Sequence, residues 1–152
     1  EFVEQFLAPR ATDILLDAFG GVGTFGLSFA SQVARVIEIE ESKDAVNDAK
    51  ANAIELSNVE FYRGKVEEIL PKLKTKIDLV VTDPPRAGID PVALDAIIAQ
   101  APRTIVYVSC DPATLARDAR RLSDGGYRLR EVQPVDLFPQ TYHIESVSRF
   151  ER

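Results

Sequence analysis

The sequence predicts a doubly wound α/β fold built on a mostly parallel, seven-stranded sheet. Short apolar runs that suit buried strands alternate with segments whose apolar residues recur at helical spacing. The last two extended segments, at about 127–137 and 143–150, have no helix between them, which predicts an antiparallel hairpin at one edge. With 152 residues, the chain is long enough for one domain with a substantial core.

Short apolar runs locate the five strands that precede the hairpin. The first is Ile14-Leu15-Leu16, which is fully apolar, as expected for a buried strand. The other four are predicted at 35–39, 59–62, 77–81 and 104–110. Because helices alternate with these strands, neighbouring strands are expected to be parallel and to be joined by crossover connections.

A helix is predicted after each of these strands. The first begins at about Thr24, behind a glycine-rich loop, and a short helix lies near 66–73. Ser42 can cap a helix whose apolar residues recur at helical spacing, namely Ala45, Val46, Ala49, Ala53 and Leu56. Pro91 opens a helix that carries Leu94, Ile97 and Ile98. The fifth helix follows the strand that ends at Cys110.

The composition restricts the classes of function. No apolar stretch approaches the length of a membrane span, so no membrane partner is expected. A single cysteine excludes an internal disulfide and a cysteine-cluster metal site, which predicts no metal in this chain and a reducing, cytoplasmic setting. The net charge of −6 predicts that RNA, if it is the substrate, is bound mainly by other domains. A first residue Glu1 and the absence of methionine favour a domain taken from a longer protein.

A glycine-rich loop at 17–26 follows the first strand and predicts a cofactor site. Gly21, Gly23 and Gly26 match the dinucleotide-binding fingerprint. However, the carboxylate of Asp17 would repel a pyrophosphate and suits a cationic amino group instead. Glu40, at the end of the second strand, can accept both hydroxyls of a ribose. S-adenosylmethionine, an adenosine joined to an amino acid, satisfies both carboxylates; the alternative is a structural turn with an exposed acid.

Cys110 is a candidate nucleophile. It stands where the fifth strand meets a helix that Asp111 can cap and Pro112 can open. The partial positive charge of a helix N-terminus favours a thiolate over a thiol. The alternative is a small apolar residue that fills the core, because free cysteines are among the most buried residue types.

The segment Asp83-Pro84-Pro85-Arg86 ends the fourth strand and places a carboxylate at the predicted cleft. Its two prolines fix an extended backbone and remove two N–H donors. Methyltransferases that act on amino groups carry a related motif with an aromatic residue after the prolines. Arg86 stands there instead, which disfavours methylation of an exocyclic amine. The alternative is a rigid turn with a solvated arginine.

The last extended segment holds a candidate base and the only histidine. Glu145 shares a strand face with Val147, so its carboxyl can point inward. Burial makes a carboxylate a stronger base near neutral pH. His143 can orient a partner or bind phosphate, but a single histidine is more often a hydrogen-bonded structural residue.

Four segments together resemble the RNA uracil-5 methyltransferase family, and the similarity runs nearly the whole length of the chain. The segments are 17–26, 83–88, 109–118 and 138–147. The resemblance implies a Rossmann-like class I methyltransferase fold that uses S-adenosylmethionine. It also implies that residues 1–152 form the catalytic domain, which methylates carbon 5 of a uridine in tRNA or rRNA.

The resemblance implies roles for individual residues. Cys110 matches the nucleophile, Glu145 the base, and Asp83 an acid that helps to position the uracil. The positions that correspond to cofactor contacts are Asp17, Phe19, Gly20, Gly21, Gly23, Glu40, Val66 and Asp83. In such a reaction a thiolate attacks carbon 6, carbon 5 takes the methyl group, and a base removes the carbon-5 proton.

Two departures from the family and two alternatives remain. Gly20 stands where many relatives have cysteine. An upstream glutamine motif, an RNA-binding region and a central domain have no counterpart here, so we expect little activity from this chain alone.

The alternatives are a methyltransferase acting on an exocyclic amine of RNA or DNA, which would not need Cys110, and a non-catalytic nucleotide-binding module, including a nicotinamide-binding one.

Overall fold

A seven-stranded sheet forms the centre of the computed structural model, which describes residues 1–137, 139–141 and 144–152. The strands are β1 Ile14–Ala18, β2 Arg35–Glu40, β3 Val59–Arg63, β4 Leu79–Thr82, β5 Thr104–Ser109, β6 Arg128–Val135 and β7 Glu145–Glu151. Their spatial order is β3-β2-β1-β4-β5-β7-β6. The first five are parallel, whereas β7 runs antiparallel to both β5 and β6. The predicted fold and its C-terminal hairpin are confirmed.

Helices connect the strands on both faces of this sheet. They are α1 Phe2–Leu7, α2 Lys43–Asn52, α3 Val66–Ile69, α4 Pro91–Gln100 and α5 Pro112–Asp124, with short 3₁₀ helices at Leu27–Gln32 and Leu70–Lys72. The predicted caps are confirmed: Ser42 accepts a hydrogen bond from the backbone of Ala45, and Asp111 accepts two in the first turn of α5. Among the described residues, no helix is long and apolar enough to cross a membrane.

The segment after the glycine-rich loop differs from its predicted structure. Residues 21–26 form successive turns, and only a 3₁₀ helix follows, where we predicted a helix from about Thr24. Gly21 and Gly23 have φ angles of +57° and +88°, outside the right-handed helical region. The N–H of Gly26 donates to the Asp17 carboxylate rather than to a helical carbonyl. The loop is therefore held by contacts with the sheet, which a local pattern does not reveal.

The core consists of two apolar clusters, one on each face of the sheet. Alternate residues of β1 divide between them, since Leu16 belongs to one cluster and Leu15 to the other. Helix α4 covers the first face through Leu94 and Ile97, and α1 covers the second through Phe6 and Leu7. This packing fixes the parallel strands so that their carboxyl ends meet at one edge.

Candidate functional site

A cavity of about 690 Å³ opens at the carboxyl edge of the parallel strands. Its walls come from the loops that follow β1, β2, β3 and β4. The lining residues are Phe19, Gly20, Gly21, Val22, Thr24, Phe25, Ile39, Glu40, Glu41, Gly64, Lys65, Val66, Glu67, Asp83, Pro85, Gly88 and Asp90. Of the eight predicted cofactor residues, this set includes all except Asp17 and Gly23.

The glycine-rich loop is attached to the end of β2 by backbone hydrogen bonds. The N–H groups of Phe19 and Gly20 both donate to the carbonyl of Ile39, at 3.0 and 3.1 Å. Phe19 and Gly21 have φ angles of +69° and +57°. A Cβ atom built on Gly21 would meet nothing within 4 Å, so the backbone there faces open space. This loop therefore offers a backbone surface that a ligand can approach closely.

Glu40 is held rigidly at the mouth of this loop. One carboxylate oxygen accepts the N–H of Gly21 at 3.1 Å, and the other accepts the N–H of Ser42 at 2.6 Å. The side chain also lines the cavity. Because each carboxylate oxygen has a second lone pair, Glu40 can still accept hydrogen bonds from a bound hydroxyl group.

Asp17 lies beneath the glycine-rich loop rather than in the cavity wall. Its side chain is buried, and one oxygen accepts the N–H of Gly26 at 2.7 Å. Desolvation, partly offset by this hydrogen bond, raises the pKa of Asp17 to about 7. Gly23 also lies outside the cavity wall, and a Cβ there would come within 2.5 Å of Leu27. Asp17 and Gly23 therefore support the conformation of the loop from outside the cavity wall.

A second buried carboxyl, Glu38, was not identified from the sequence. It lies opposite Asp17 on the neighbouring strand β2 and is only 2% exposed. Desolvation and the adjacent Asp17 raise the pKa of Glu38 to about 8. A charged residue near the centre of a buried parallel strand, between Ile37 and Ile39, was the available signal. Lys65 and Glu67, on either side of the predicted Val66, also line the cavity unpredicted.

Asp83 follows β4 and contributes to the far wall of the cavity. The cavity wall removes part of the water around its carboxylate, and this desolvation raises the pKa of Asp83. The negative charge of Glu145 acts in the same direction. Asp83 and Glu145 therefore lie close enough to interact electrostatically.

Cys110 and Glu145 lie at the ends of two paired strands. The antiparallel register places Ser109 opposite Ser146, so one further step leads to Cys110 on one strand and to Glu145 on the other. Both residues are half-buried, and neither belongs to the described lining of the cavity. The Ser109 hydroxyl bonds to both the N–H and the carbonyl of Asp111, which fixes the turn that carries Cys110.

Two predictions remain, one about His143 and one about metal binding. His143 lies outside the described residues, as do Phe138 and Tyr142 of the same motif. Within the described part of the chain, no group of three or more histidine, cysteine, aspartate or glutamate side chains is arranged to hold a metal ion. The candidate site thus consists of the cavity, Asp83 at its border, and the adjacent Cys110 and Glu145.

Comparison with known proteins identifies the family. A family model described as tRNA (Uracil-5-)-methyltransferase matches residues 2–152. The chain belongs to this family. An uncharacterized RNA methyltransferase of Enterococcus faecalis is 48% identical over 152 residues, covering 96% of this chain and 33% of that protein. Another, from Caldanaerobacter subterraneus subsp. tengcongensis, is 48% identical over 97% of this chain and 34% of its own length. The chain thus spans about a third of the curated relatives it matches.

Solved structures of methyltransferases share this fold. The Pyrococcus abyssi tRNA (uracil-54, C5)-methyltransferase, in complex with S-adenosyl-L-homocysteine, superposes with a TM-score of 0.84 at 34% identity and covers 98% of this chain and 36% of its own. A precorrin-6y C5,15-methyltransferase of Geobacter metallireducens has the same TM-score at 16% identity, over 99% of this chain and 87% of its own. The latter is similar in fold alone. The predicted uracil-5 methyltransferase family and class I methyltransferase fold are both confirmed.

Proposed function

We propose that this chain is the catalytic domain of an S-adenosylmethionine-dependent enzyme that methylates carbon 5 of a uridine in RNA. The observation that carries the proposal is the placement of Cys110 and Glu145 one step beyond a paired Ser109 and Ser146, beside a carboxylate-bordered cavity. Membership of the tRNA (uracil-5-)-methyltransferase family supports the same reaction. The Pyrococcus abyssi relative is named for it and holds S-adenosyl-L-homocysteine.

The cavity suits S-adenosylmethionine. Glu40, fixed by two backbone N–H groups, presents its remaining lone pairs to the ribose hydroxyls. The open backbone at Gly21 lets the amino-acid portion approach closely, and Val66 offers an apolar contact for the adenine. Asp17 and Gly23 act indirectly, because they hold the loop in shape. The bound cofactor supplies an electrophilic methyl group.

Cys110, Glu145 and Asp83 each have a separate role in the reaction of the uracil. The thiolate of Cys110 forms a bond to carbon 6, and the electron pair of the 5,6 double bond moves to an enolate that makes carbon 5 nucleophilic. After carbon 5 has gained the methyl group, Glu145 removes its proton. The electrons of that C–H bond re-form the double bond, and the sulfur leaves as thiolate. Asp83 hydrogen-bonds the uracil and holds carbon 6 at the sulfur.

The substrate is a structured RNA, either tRNA or rRNA. With a net charge of −6, this chain contributes little electrostatic attraction to phosphate. We therefore assign most of the affinity for RNA to other domains of the protein. The choice of uridine depends on RNA shape and on those domains.

A covalent trap tests the role of the cysteine. With S-adenosylmethionine present, RNA containing 5-fluorouridine should form a stable adduct with the full-length protein, because carbon 5 then carries fluorine and the new methyl group and has no proton for the base to remove. Cys110→Ala should abolish the adduct, detected as a shifted band on a denaturing gel, whereas Ser123→Ala, at an exposed position near the C-terminal end of α5, should retain it. An adduct that persists in Cys110→Ala would assign the nucleophile to another residue.

Two further measurements separate this function from its alternatives. Calorimetry should detect binding of S-adenosylhomocysteine and none of NAD; binding of NAD alone would overturn the proposal in favour of a nicotinamide-binding module. Glu145→Gln should accumulate the methylated adduct with ordinary uridine RNA, since the proton can no longer be removed. Normal turnover by Cys110→Ala would instead point to methylation of an amine.

A further inference from the structure

Asp118 is a buried carboxylate on α5 that the proposed reaction does not use. It is only 2% exposed. One oxygen accepts the backbone N–H of Ile89 at 2.9 Å and the Tyr107 hydroxyl at 2.7 Å. The other accepts the Arg117 guanidinium at 2.9 Å. The three donors come from three separate parts of the chain, which makes Asp118 the meeting point of a loop, a strand and a helix.

The neighbouring side chains of α5 extend this attachment along the same loop. A terminal guanidinium nitrogen of Arg117 donates to the carbonyls of Ala87 and Ile89, at 3.0 and 3.2 Å. The hydroxyl of Thr114 donates to the carbonyl of Arg86 at 3.2 Å. We call Thr114, Arg117 and Asp118 the α5 clasp. Through it, four backbone groups of residues 86–89 bond to one helix face.

The loop held by the α5 clasp forms part of the cavity wall. Residues 83–90 connect β4 to α4, and Asp83, Pro85, Gly88 and Asp90 all line the cavity. Gly88 has a φ of +75°, and a Cβ there would lie 2.5 Å from Arg117 and 2.7 Å from Asp118. Loop and clasp therefore pack in direct contact. The position of Asp83 depends on where this loop sits.

The N-terminal end of the same helix, just before the clasp, is next to Cys110. Helix α5 begins at Pro112, two residues after the cysteine, and Tyr107 belongs to the strand that leads to it. We propose that Asp118 is a positioning residue. It fixes the 83–90 loop to α5 and β5, so that Asp83 and Cys110 can contact the same uracil. This inference rests on the proposed function.

The chemistry of the carboxylate explains why an amide cannot replace it. Asp118 receives donors on both oxygens, whereas an asparagine offers one acceptor and one N–H₂ group. In Asp118→Asn, an oxygen facing Ile89 and Tyr107 would leave the amide nitrogen facing the Arg117 guanidinium, donor against donor. Arg117 would then release the carbonyls of Ala87 and Ile89. Arg117→Lys tests the same link, because a single ammonium cannot replace the planar guanidinium fork.

The test compares rates of adduct formation with 5-fluorouridine RNA in the full-length protein. At saturating RNA, Asp118→Asn and Arg117→Lys should react about tenfold or more slowly, because small misplacements of reacting groups carry large rate costs. The affinity for RNA should stay within about twofold of that of the original protein, because we assign most of that affinity to other domains. Tyr127→Phe is the matched control: it removes one buried hydrogen bond, to the carbonyl of Pro102, without touching the clasp.

The outcomes separate the two proposals. If neither variant reacts more slowly than Tyr127→Phe at a temperature where all three are folded, Asp118 has no positioning role. Hydrogen exchange supplies a readout independent of chemistry, since the amide of Ile89 should lose protection in Asp118→Asn and keep it in Tyr127→Phe. Failure of the original protein to form any adduct overturns the proposed function itself, and is seen before any variant is compared.

Discussion

The side chains of Asp17 and Glu38 form a buried carboxyl pair under the glycine-rich loop. They lie opposite each other on β1 and β2, and a Cβ on Gly26 would approach both, at 3.0 and 2.6 Å. Within the described residues, one oxygen of each is buried without a hydrogen-bond partner. Two adjacent carboxylates in such surroundings cannot both be ionised cheaply, so the pair retains a proton near neutral pH.

This pair makes the stability of the protein depend on pH. Folding raises the pKa of Asp17 from 3.8 to about 7 and that of Glu38 from 4.5 to about 8. Between these limits the folded state binds more protons than the unfolded state, so the free energy of unfolding falls as pH rises from about 4 to 8. The stabilisation that the protonated pair gives the folded state is complete below about pH 4 and is lost above about pH 8. Asp83 and Glu40 add smaller repulsions toward Asp17.

Glu38→Gln should therefore stabilise the protein in alkaline solution. At pH 8.5 we expect a gain of about 1 to 3 kcal/mol, because a neutral amide replaces a buried ionised carboxylate and can donate to Asp17. The slope of stability against pH should become shallower, though not flat, since Asp17 remains. Denaturant titrations from pH 5 to 9 measure both effects. Asp48→Asn, on the exposed side of α2, is the control; equal slopes in the two variants would refute the shared-proton interpretation.

At the scale of elements, the sequence predicts those whose structure is determined locally. Helices α2 and α5 carry side-chain caps at Ser42 and Asp111, and both caps are confirmed. Helix α1 was not predicted, because it has only six residues and the N-cap residue Glu1 forms no side-chain hydrogen bond to its first turn. It is stabilised by burial of Val3, Phe6 and Leu7 against the sheet, which is a tertiary effect.

The site was predictable where it depends on strand ends. Phe19 and Asp83 directly follow strands and Glu40 ends one, and a parallel sheet brings those positions to one cavity. Val66, which begins α3, was assigned from the resemblance to the family. The roles of Glu38 and Asp118 were not predictable in this way. Each depends on which side chain of a neighbouring element it meets, and that contact is defined only when strands and helices pack in register. The assigned catalytic roles of Cys110 and Glu145 stay predictions.

The N-terminal cap of α5 permits a test at the same scale. The Asp111 carboxylate accepts the N–H groups of Ala113 and Thr114, both at 2.9 Å. Asp111→Ala should lower Tm by about 2 to 4 °C, because two backbone donors lose their partner. Asp111→Asn should change Tm by less, since an asparagine caps nearly as well. Differential scanning calorimetry checks both, and an equal loss in the two variants would attribute the effect to charge rather than to capping.

Considered as a whole, the molecule separates its binding edge from an edge that serves stability. The cavity lies at the carboxyl ends of the parallel strands, whereas the ion pair of Arg103 with Asp13 lies at their amino ends. Asp13 precedes β1 and is 5% exposed, and Arg103 precedes β5. Arg103 also donates to the carbonyl of Ala8, at the C-terminal end of α1. This one side chain therefore joins α1, β1 and β5 far from the candidate site.

Arg103→Gln should weaken the fold without changing the cavity. Asp13 would keep the N–H of Arg10 but lose its guanidinium partner, which we expect to cost roughly 1 to 3 kcal/mol given the partial exposure of Arg103. For a chain of this length, Tm should fall by about 3 to 10 °C. Below the transition, affinity for S-adenosylhomocysteine, measured by calorimetry, should stay within about twofold, since stability and binding effects at distant sites are independent.

The complementary variant at the other edge is Glu40→Gln. Its amide can no longer accept hydrogen bonds on both sides, so affinity for S-adenosylhomocysteine should fall by about tenfold or more. Its Tm should fall less than that of Arg103→Gln, because Glu40 is half-exposed and its hydrogen bonds to described residues join it to the loop and to the start of α2. If Arg103→Gln instead weakened binding while fully folded, the sheet would transmit strain between its edges, and the two edges could not be engineered separately.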